Sequence, residues 1–217
     1  MHLLFQHGWG FTGECWQGWL PLLQGPYTLG NRGYWGTPCR LERQSLPPGF
    51  VLVSHSLGLH FLPREFLVKA GLLVVISGFA HFHGLTPAAC RISHKHVQRM
   101  LARMQSEPVE LIRDFYRDCS CENLPVPKEG MDQALLTNDL TLLNQSRIDR
   151  KHTAGLPPTL LLHGREDRVV RLERAHELAD ILETSRLTVI DGADHGLPFT
   201  HPLLCLDIIR AFYEKVC

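Results

Sequence analysis

Three side chains that lie far apart in the sequence have the types and the chain order that acyl transfer requires. Ser56 stands in VLVSHSLGLH, Asp167 in LLLHGREDRVV and His195 in LTVIDGADHGLPF. A serine hydroxyl becomes a good nucleophile when a histidine takes its proton and a carboxylate orients that histidine. We therefore predict that Ser56 is a nucleophile, that His195 is its base and that Asp167 orients the base.

The turn around Ser56 nearly matches Gly-x-Ser-x-Gly, the tight strand-to-helix turn that presents a catalytic serine. Ser54 occupies the place of the first glycine, and Gly58 keeps the second. Small residues are needed at both places because the strand and the helix pass closely there, and a hydroxymethyl group is still small. The alternative interpretation of Ser56 is a structural turn serine that caps the next helix.

Neighbouring residues compete for two of the three roles. Glu166 and Asp191 are alternative carboxylates, and His201 is an alternative base. Asp167 has the expected position in the loop after one predicted strand, and His195 follows the next strand beside a glycine. The spacing between the two leaves room for one helix and one strand, which the pattern supplies.

The N-terminal segment HGWG, His7–Gly10, could provide part of an oxyanion hole. Acyl transfer passes through a tetrahedral oxyanion, and one preorganised backbone N–H group lowers the barrier by roughly 2.7–4 kcal/mol. We predict that the N–H groups of Leu57 and Trp9 are the two donors and that the Trp9 ring lines the acyl pocket.

Alternating strands and helices must bring these residues together. Continuous apolar runs predict buried parallel strands at Leu3–Gln6, Phe50–Ser54, Leu72–Ser77, Thr159–His163 and Leu187–Ile190. Helical patterns follow at Glu14–Leu23, Leu57–Val68, Arg171–Leu182 and Pro202–Tyr213. Pro63 is expected to interrupt the second of these helices. The alternation predicts an α/β fold with a doubly wound, mainly parallel sheet, whose carboxyl edge carries Asp167 and His195.

Residues 84–155 have a different character, because helical patterns dominate them and no strand-like run occurs. We predict that they form a helical cap inserted into a core made of residues 1–83 and 156–217. The loop CSCENLPVPKEG is expected to divide the cap into two helical pairs.

Composition excludes several classes of function. The 217 residues include 22 Lys and Arg and 22 Asp and Glu, a balance that argues against nucleic-acid binding. The seven cysteines have no repeating spacing and predict reduced thiols, including Cys119 and Cys121. With neither a leader-like start nor a membrane-length apolar run, we expect a soluble, cytoplasmic monomer without membrane contacts.

Two histidine pairs suggest a metal site as a further hypothesis. His81 and His83 form HFH, and His94 and His96 form HKH. On a strand, His-x-His places both rings on one face. No carboxylate or cysteine cluster accompanies them, so we predict neither a metal nor any other cofactor.

Four stretches carry a family resemblance: LLFQHGWGFTGECWQGWLPLL, SHSLG, PPTLLLHGREDRVV and DGADHGLPFTHPLL. Together with LLNQSRID in the cap, they make the chain resemble the α/β-hydrolases, and within them the pimeloyl-[acyl-carrier protein] methyl ester esterases of biotin synthesis. The resemblance implies the roles already given to the serine, the aspartate, the histidine and the two oxyanion donors. It implies hydrolysis of an acyl methyl ester to the acid and methanol, without a cofactor.

The resemblance also implies roles for the cap. Phe115 and Tyr116 would contact the acyl chain, although buried packing is the usual role of such residues. In the family, arginines of the cap bind an acyl carrier protein, but Glu110 and Asp114 occupy two of those positions here. We expect the carrier to bind neighbouring arginines instead, and we call them the cap arginines: Arg99, Arg103, Arg113 and Arg117. A solvated helix surface is the alternative, because acids such as Glu110 and Asp114 interleave with them.

The chain also departs from the family pattern. It begins at the predicted oxyanion strand, so we expect no N-terminal hairpin of the kind that larger relatives have. The stretch GNRGYWGTPCRLERQS replaces their Asp-x-x-Gly-x-Gly-x-Ser loop. A general short-chain carboxylesterase, a thioesterase and a non-catalytic ligand-binding protein of the same fold are therefore alternatives.

Overall fold

A six-stranded, fully parallel sheet forms the centre of the computed structural model, which describes residues 2–216. Its order is β2-β1-β3-β4-β5-β6. The strands are β1 (Leu3–Gln6), β2 (Tyr27–Leu29), β3 (Val51–His55), β4 (Leu72–Ile76), β5 (Thr159–Gly164) and β6 (Ser185–Ile190). Every residue of β1, β3, β4 and β5 is buried, as the continuous apolar runs predicted.

The five predicted strands are confirmed, and β2 is the strand that the sequence did not indicate. It has only three residues, lies at the edge of the sheet, and begins with the exposed Tyr27. Three residues that begin with an exposed tyrosine are too few to form the continuous apolar run that marked the other strands.

Eight α-helices surround the sheet in the described part of the chain. They are α1 (Arg64–Leu67), α2 (Pro87–Ser106), α3 (Pro108–Asp118), α4 (Gln133–Gln145), α5 (Arg150–Thr153), α6 (Leu172–Ile181), α7 (Leu197–Thr200) and α8 (Pro202–Val216). Three 3₁₀ helices cover Gly13–Leu22, Leu41–Arg43 and Ser56–Phe61.

The segment after β1 and the segment after β3 are 3₁₀ helices where α-helices were predicted. Gly13, Gly18 and Pro21 lie in the first and weaken an α-helix there. In the second, the 3₁₀ helix ends at Phe61, and α1 restarts after Pro63, which precedes its first residue. The interruption at Pro63 is therefore present.

Helices α2–α5 all lie between β4 and β5 in the chain. The loop that contains CSCENLPVPKEG separates α2 and α3 from α4 and α5, although α5 is a single turn. Met100, Met104, Leu111 and Leu136 of these helices belong to the same apolar cluster as residues of β1, β3 and β4. The cap helices therefore pack directly on the sheet domain.

The two faces of the sheet have different cores. On one face an aromatic-rich cluster includes Phe5, Phe11, Trp16 and Trp19 beneath the cap, the first 3₁₀ helix and α8. On the other face an aliphatic cluster contains Leu52, Leu73 and Leu161, against α1 and α6. Within residues 2–216, no helix combines the length and the hydrophobicity that a membrane crossing demands.

Candidate active site

Ser56 lies at the sharp turn between β3 and the following 3₁₀ helix. Its φ of 53° is in the left-handed region, which costs energy in a residue other than glycine. A Cβ atom at Gly58 would lie 2.8 Å from the carbonyl oxygens of Gln6 and His7, so the second small position is essential. Ser54 is fully buried, with its Oγ 3.4 Å from the Val74 carbonyl oxygen, so the first position accepts its hydroxymethyl group.

Ser56, His195 and Asp167, which we call the triad, form one chain of hydrogen bonds. His195 Nε2 is 3.1 Å from Ser56 Oγ, and His195 Nδ1 is 2.8 Å from Asp167 Oδ2. The second carboxylate oxygen, Oδ1, accepts the N–H groups of Val169 at 2.9 Å and Val170 at 2.7 Å. Because Nδ1–H donates to the carboxylate, Nε2 is free to accept the serine proton.

The triad is shielded from water. Exposed fractions are 8% for Ser56, 5% for Asp167 and 0% for His195. Electrostatic interactions are stronger in such a site than in bulk water. A buried ion pair between an imidazolium and a carboxylate can therefore stabilise the charge that forms when Ser56 loses its proton.

The competing residues lie outside this chain of hydrogen bonds. Glu166 is exposed, and Asp191 is an exposed carboxylate paired with Arg165. His201 is exposed, and its Nδ1 is 2.8 Å from the hydroxyl oxygen of Thr200. The structure thus brings together Ser56, Asp167 and His195, the three residues that were predicted from their positions in the loops after the strands.

Two further histidines support the triad, and the sequence did not mark them. His55 donates from Nε2 to the carbonyl oxygen of His195 at 3.0 Å, and the two rings are 4.8 Å apart. His163 donates from Nε2 to the Val170 carbonyl oxygen at 2.8 Å and lies 3.5 Å from Asp167 Oδ2. Burial lowers the pKa of both histidines, and repulsion from His195 lowers that of His55 further. Both are therefore neutral supports for the base and its carboxylate.

The segment His7–Gly10 approaches Ser56 closely. A Cβ atom at Gly8 would lie 2.9 Å from the Cβ of Ser56. The Trp9 N–H group makes no hydrogen bond within residues 2–216. Leu57 follows Ser56 at the start of a 3₁₀ helix, where N–H groups lack intrahelical partners. The N–H groups of the two predicted oxyanion donors are therefore not used by the fold, and their placement toward an oxyanion stays a prediction.

A polar network that the sequence did not predict holds this segment. His7 donates from Nδ1 to the Gly8 carbonyl oxygen at 2.7 Å, and its Nε2 accepts the Arg32 N–H group at 2.9 Å. Burial lowers the pKa of His7 to about 4, so it is neutral at pH 7. The Arg32 guanidinium binds Asp139 of α4 at 2.7 and 2.8 Å, and the Tyr34 hydroxyl donates to the same carboxylate at 2.7 Å.

The aromatic residues of the cap lie in two environments. Phe115 is partly buried; its ring is 5.1 Å from the Trp9 ring and 6.4 Å from the His195 ring. Tyr116 is buried, stacks on Phe11 at 5.1 Å and donates its hydroxyl to the Gly10 carbonyl oxygen at 2.9 Å. Phe115 therefore lies near Trp9 and His195, whereas the hydrogen bond of Tyr116 connects α3 to the His7–Gly10 segment.

The Trp9 side chain connects the same segment to another cap helix. Its indole N–H group donates to the Leu136 carbonyl oxygen of α4 at 2.9 Å, and the residue is only 4% exposed. The ring consequently lies between the sheet domain and the cap, next to Phe115.

Solved structures resemble the whole chain. An esterase from Exiguobacterium antarcticum matches with a TM-score of 0.79 and 13% identity over 99% of this chain and 92% of the other. A hydrolase from Oleispira antarctica has a TM-score of 0.76 and 13% identity, with 98% and 90% covered. A bromoperoxidase from Bacillus anthracis has a TM-score of 0.76 and 18% identity, with 98% and 91% covered.

The chain has the α/β-hydrolase fold. No protein-family model and no curated protein sequence matches it. At identities below 20%, these three likenesses show the fold alone.

In this α/β-hydrolase fold, the loop after α3 packs closely against the loop that carries His195 and is hydrogen-bonded to it. The Ser120 hydroxyl donates to Asp194, which also accepts the Gly196 N–H group at 2.9 Å. A side chain at Gly196 would overlap the Cys119 carbonyl oxygen and come within 2.7 Å of Cys121 Sγ. Cys119 and Cys121 are free thiols whose pKa values burial raises.

The cap arginines are mostly paired with acids of their own two helices. Arg103 binds Glu107 at 3.0 Å and Asp114 at 2.8 Å. Arg117 also binds Asp114 at 2.8 Å, and Arg113 pairs with Glu110. Arg99 is exposed and has no ion pair within the described residues.

The predicted histidine pairs do not assemble a ligand set. His83 stacks on His94 at 3.5 Å, and its Nδ1 is 2.9 Å from the Ser93 hydroxyl oxygen. His96 is an exposed residue of α2. In the described part of the chain, no group of three or more His, Cys, Asp or Glu side chains could hold a metal ion.

Proposed function

We propose that the protein is a serine carboxylesterase that works without a cofactor. The observation that carries this proposal is the buried hydrogen-bond chain from Ser56 through His195 to Asp167. Two backbone N–H groups beside the serine add the electrostatic element that acyl transfer needs. Esterases from Exiguobacterium antarcticum and a Rhodococcus species share the fold, which adds support.

In the first step, Ser56 Oγ attacks the ester carbonyl carbon while His195 Nε2 takes the hydroxyl proton. The carbonyl oxygen becomes an oxyanion that accepts hydrogen bonds from the N–H groups of Trp9 and Leu57. Asp167 stabilises the imidazolium and fixes the ring tautomer through Nδ1–H. When the tetrahedral intermediate collapses, His195 gives its proton to the departing alcohol and leaves an acyl group on Ser56.

In the second step, a water molecule takes the place of the alcohol. His195 Nε2 removes a proton from the water as it attacks the acyl carbon, and the same two N–H groups bind the second oxyanion. Collapse releases the carboxylic acid and returns the proton to Ser56. The Phe115 ring, 5.1 Å from Trp9, borders the place where the acyl group would lie.

Replacement of Ser56 by alanine tests the proposal, with p-nitrophenyl acetate and p-nitrophenyl butyrate as substrates. We expect kcat/KM to fall at least about 10³-fold in Ser56→Ala, with the circular dichroism spectrum unchanged. Ser54→Ala is the matched control, because it removes a buried hydroxyl two residues away that has no contact with the triad. Equal hydrolysis rates in Ser56→Ala and the wild type would contradict the proposal, and a folded wild type that hydrolyses neither ester would favour a ligand-binding protein.

Within this class, we propose pimeloyl-[acyl-carrier protein] methyl ester as the substrate, hydrolysed to the free acid and methanol, with the carrier protein as partner. The four resembling sequence stretches support this narrower proposal. Three cap arginines pair with Glu107, Glu110 and Asp114, which leaves Arg99 as the only cap arginine without an ion pair in the described part of the chain. Carrier binding would therefore have to rely on Arg99 or on rearranged ion pairs.

Competition between carrier-bound and free esters tests the narrower proposal. If the carrier protein is recognised, kcat/KM for the carrier-bound methyl ester exceeds that for free dimethyl pimelate at least about tenfold and falls with added salt. Complementation of a biotin-auxotrophic strain without its own methyl ester esterase should follow. Equal rates for both esters, with active protein and no complementation, would leave a general short-chain esterase.

A further inference from the structure

A second apolar site lies on the aliphatic face of the sheet. A cavity of ≈ 280 Å³ opens between α1, α5 and α6. Its wall consists mainly of leucines from several elements: Leu59, Leu62, Leu67, Leu73, Leu178 and Leu182. None of the residues that line it belongs to the triad, to the His7–Gly10 segment or to the aromatic cap residues.

The charged residues around this cavity are all basic. Arg64, Arg147 and His152 line it together with the partly buried His60, and no carboxylate does. Arg147 is exposed and forms no ion pair in the part of the chain that the structure describes. The Glu177 carboxylate lies within the electrostatic reach of Arg147, but it pairs with Arg174 at 2.8 Å. His152 is paired with Asp149 at 2.7 Å, whereas Arg64 and Arg147 have no ion pair in the described residues. The cavity therefore combines an apolar interior with the positive charge of these two arginines.

Three polar side chains of the lining, those of Thr153, Thr159 and His60, are hydrogen-bonded to the backbone, whereas that of Ser146 is not. Thr153 donates to the Ile181 carbonyl oxygen at 2.7 Å, and Thr159 donates to that of Pro157 at 2.9 Å. His60 Nε2 is 3.0 Å from the Phe79 carbonyl oxygen. The Ser146 hydroxyl oxygen is shielded from solvent and has no hydrogen-bond partner. Because this oxygen is not exposed to the cavity, Arg147 is the polar group that is left to hold a charged ligand.

We propose that this cavity binds a carboxylate that carries one short, unbranched alkyl chain. The chain lies among the leucines, and the carboxylate contacts Arg147, because a guanidinium can donate hydrogen bonds to both carboxylate oxygens. A cavity of about 150 Å³ already holds benzene, and drug-sized ligands occupy roughly 300 Å³ or more. The observed ≈ 280 Å³ therefore fits a chain of intermediate size.

Isothermal titration with octanoate, octylamine and 1-octanol tests the proposal on the full-length protein. Ser56 is first blocked with an organophosphate, so that binding at the candidate active site does not contribute. We expect octanoate to bind one site with a Kd below about 1 mM, and octylamine and 1-octanol to bind at least about tenfold more weakly.

Two variants and one control locate the site. Arg147→Gln should weaken octanoate binding at least about tenfold, and Leu156→Phe should abolish it by filling the cavity. Arg186→Gln is the matched control, because Arg186 lines a different cavity of ≈ 200 Å³ and should leave the Kd unchanged.

Three outcomes would overturn the proposal. They are equal binding of octylamine and octanoate, an unchanged Kd in Arg147→Gln, and loss of binding in the control. Should Leu156→Phe fail to fold, the ligand series and Arg147→Gln still decide the question. Because Ser56 is blocked, failure here is independent of whether the protein is an esterase.

Discussion

The triad and the cap arginines are both sets of polar side chains, but they are organised in opposite ways. The triad is buried, and its members come from three separate loops to form a single hydrogen-bond chain. The cap arginines lie on α2 and α3, where acids of the same two helices neutralise three of them. Convergence from distant parts of the chain indicates a site, whereas pairing between near neighbours is typical of a solvated surface.

The largest loss of activity should come from a substitution within the triad. We expect Asp167→Asn to lower kcat about 10³-fold to 10⁴-fold, because the amide cannot hold the His195 tautomer or stabilise the imidazolium. Ester hydrolysis by the purified variant measures this effect. Asp191→Asn is the matched control, since Asp191 is an exposed carboxylate paired with Arg165. Similar losses of kcat in Asp167→Asn and Asp191→Asn would show that hydrolysis does not depend on the triad geometry.

The contact between the cap and the triad is tested at Gly196. Gly196→Ala should lower the free energy of unfolding by about 2 kcal/mol or more and reduce kcat/KM, because its Cβ would overlap the Cys119 carbonyl oxygen. Gly18→Ala is the control: its Cβ would make only a 3.7 Å contact with Pro202, so we expect a change within about 0.5 kcal/mol. Urea unfolding gives both values. Equal stability of the two variants would mean that the loop after α3 does not dock there.

Acidification should affect the buried histidines and the cap carboxylate Asp114 in different pH ranges. Burial lowers the pKa of His7 and of His60 to about 4, so each histidine protonates more readily in the unfolded chain than in the folded one. Stability should therefore fall as the pH drops from about 6.5 towards 4, by up to about 1.4 kcal/mol per pH unit for each histidine.

Asp114 of the cap responds at lower pH, because Arg103 holds the pKa of this carboxyl below its usual value. Urea unfolding between pH 7 and 4 measures the histidine contribution. In His60→Gln, the slope of the unfolding free energy against pH should be smaller by the contribution of one histidine. A stability that stays constant from pH 7 to 5 would contradict the burial of these neutral histidines.

The smallest effects are expected at the cap arginines. Arg103→Ala removes two exposed ion pairs and should change the unfolding free energy by less than about 1 kcal/mol. Arg99→Ala removes no ion pair of the described chain and should change it less. We expect both variants to hydrolyse p-nitrophenyl acetate at the wild-type rate. A large loss with this free ester would show that these residues act on catalysis rather than on a partner.

Much of this organisation could be predicted from the sequence. The strands β1, β3, β4 and β5 are continuous apolar runs, and in a parallel sheet their following loops must meet at one edge. That rule brought Asp167 and His195 to Ser56 without any knowledge of side-chain positions. The presence of Ser54 in place of the first glycine did not weaken the prediction, because the turn requires only a small residue there.

Other features depend on information that no local pattern carries. The edge strand β2 has three residues and no distinctive run. The contacts of His55 with His195, and of Arg32 with Asp139, join residues more than 100 positions apart through specific rotamers. Of the cap-arginine pairs, only that of Arg103 with Asp114 depends on how α2 and α3 cross, because the partners of the other pairs are three or four residues apart. Spacing could suggest such contacts but could not choose among them.

The central claim is that His195 activates Ser56 as a nucleophile, and covalent labelling tests it most directly. The protein is treated with diisopropyl fluorophosphate, and the modified residue is identified by peptide mass spectrometry. We predict a single adduct on Ser56 in the wild type, with labelling slowed at least about 10³-fold in His195→Ala. Unlabelled Ser56 in folded wild-type protein, or labelling that proceeds equally fast without His195, would contradict the account.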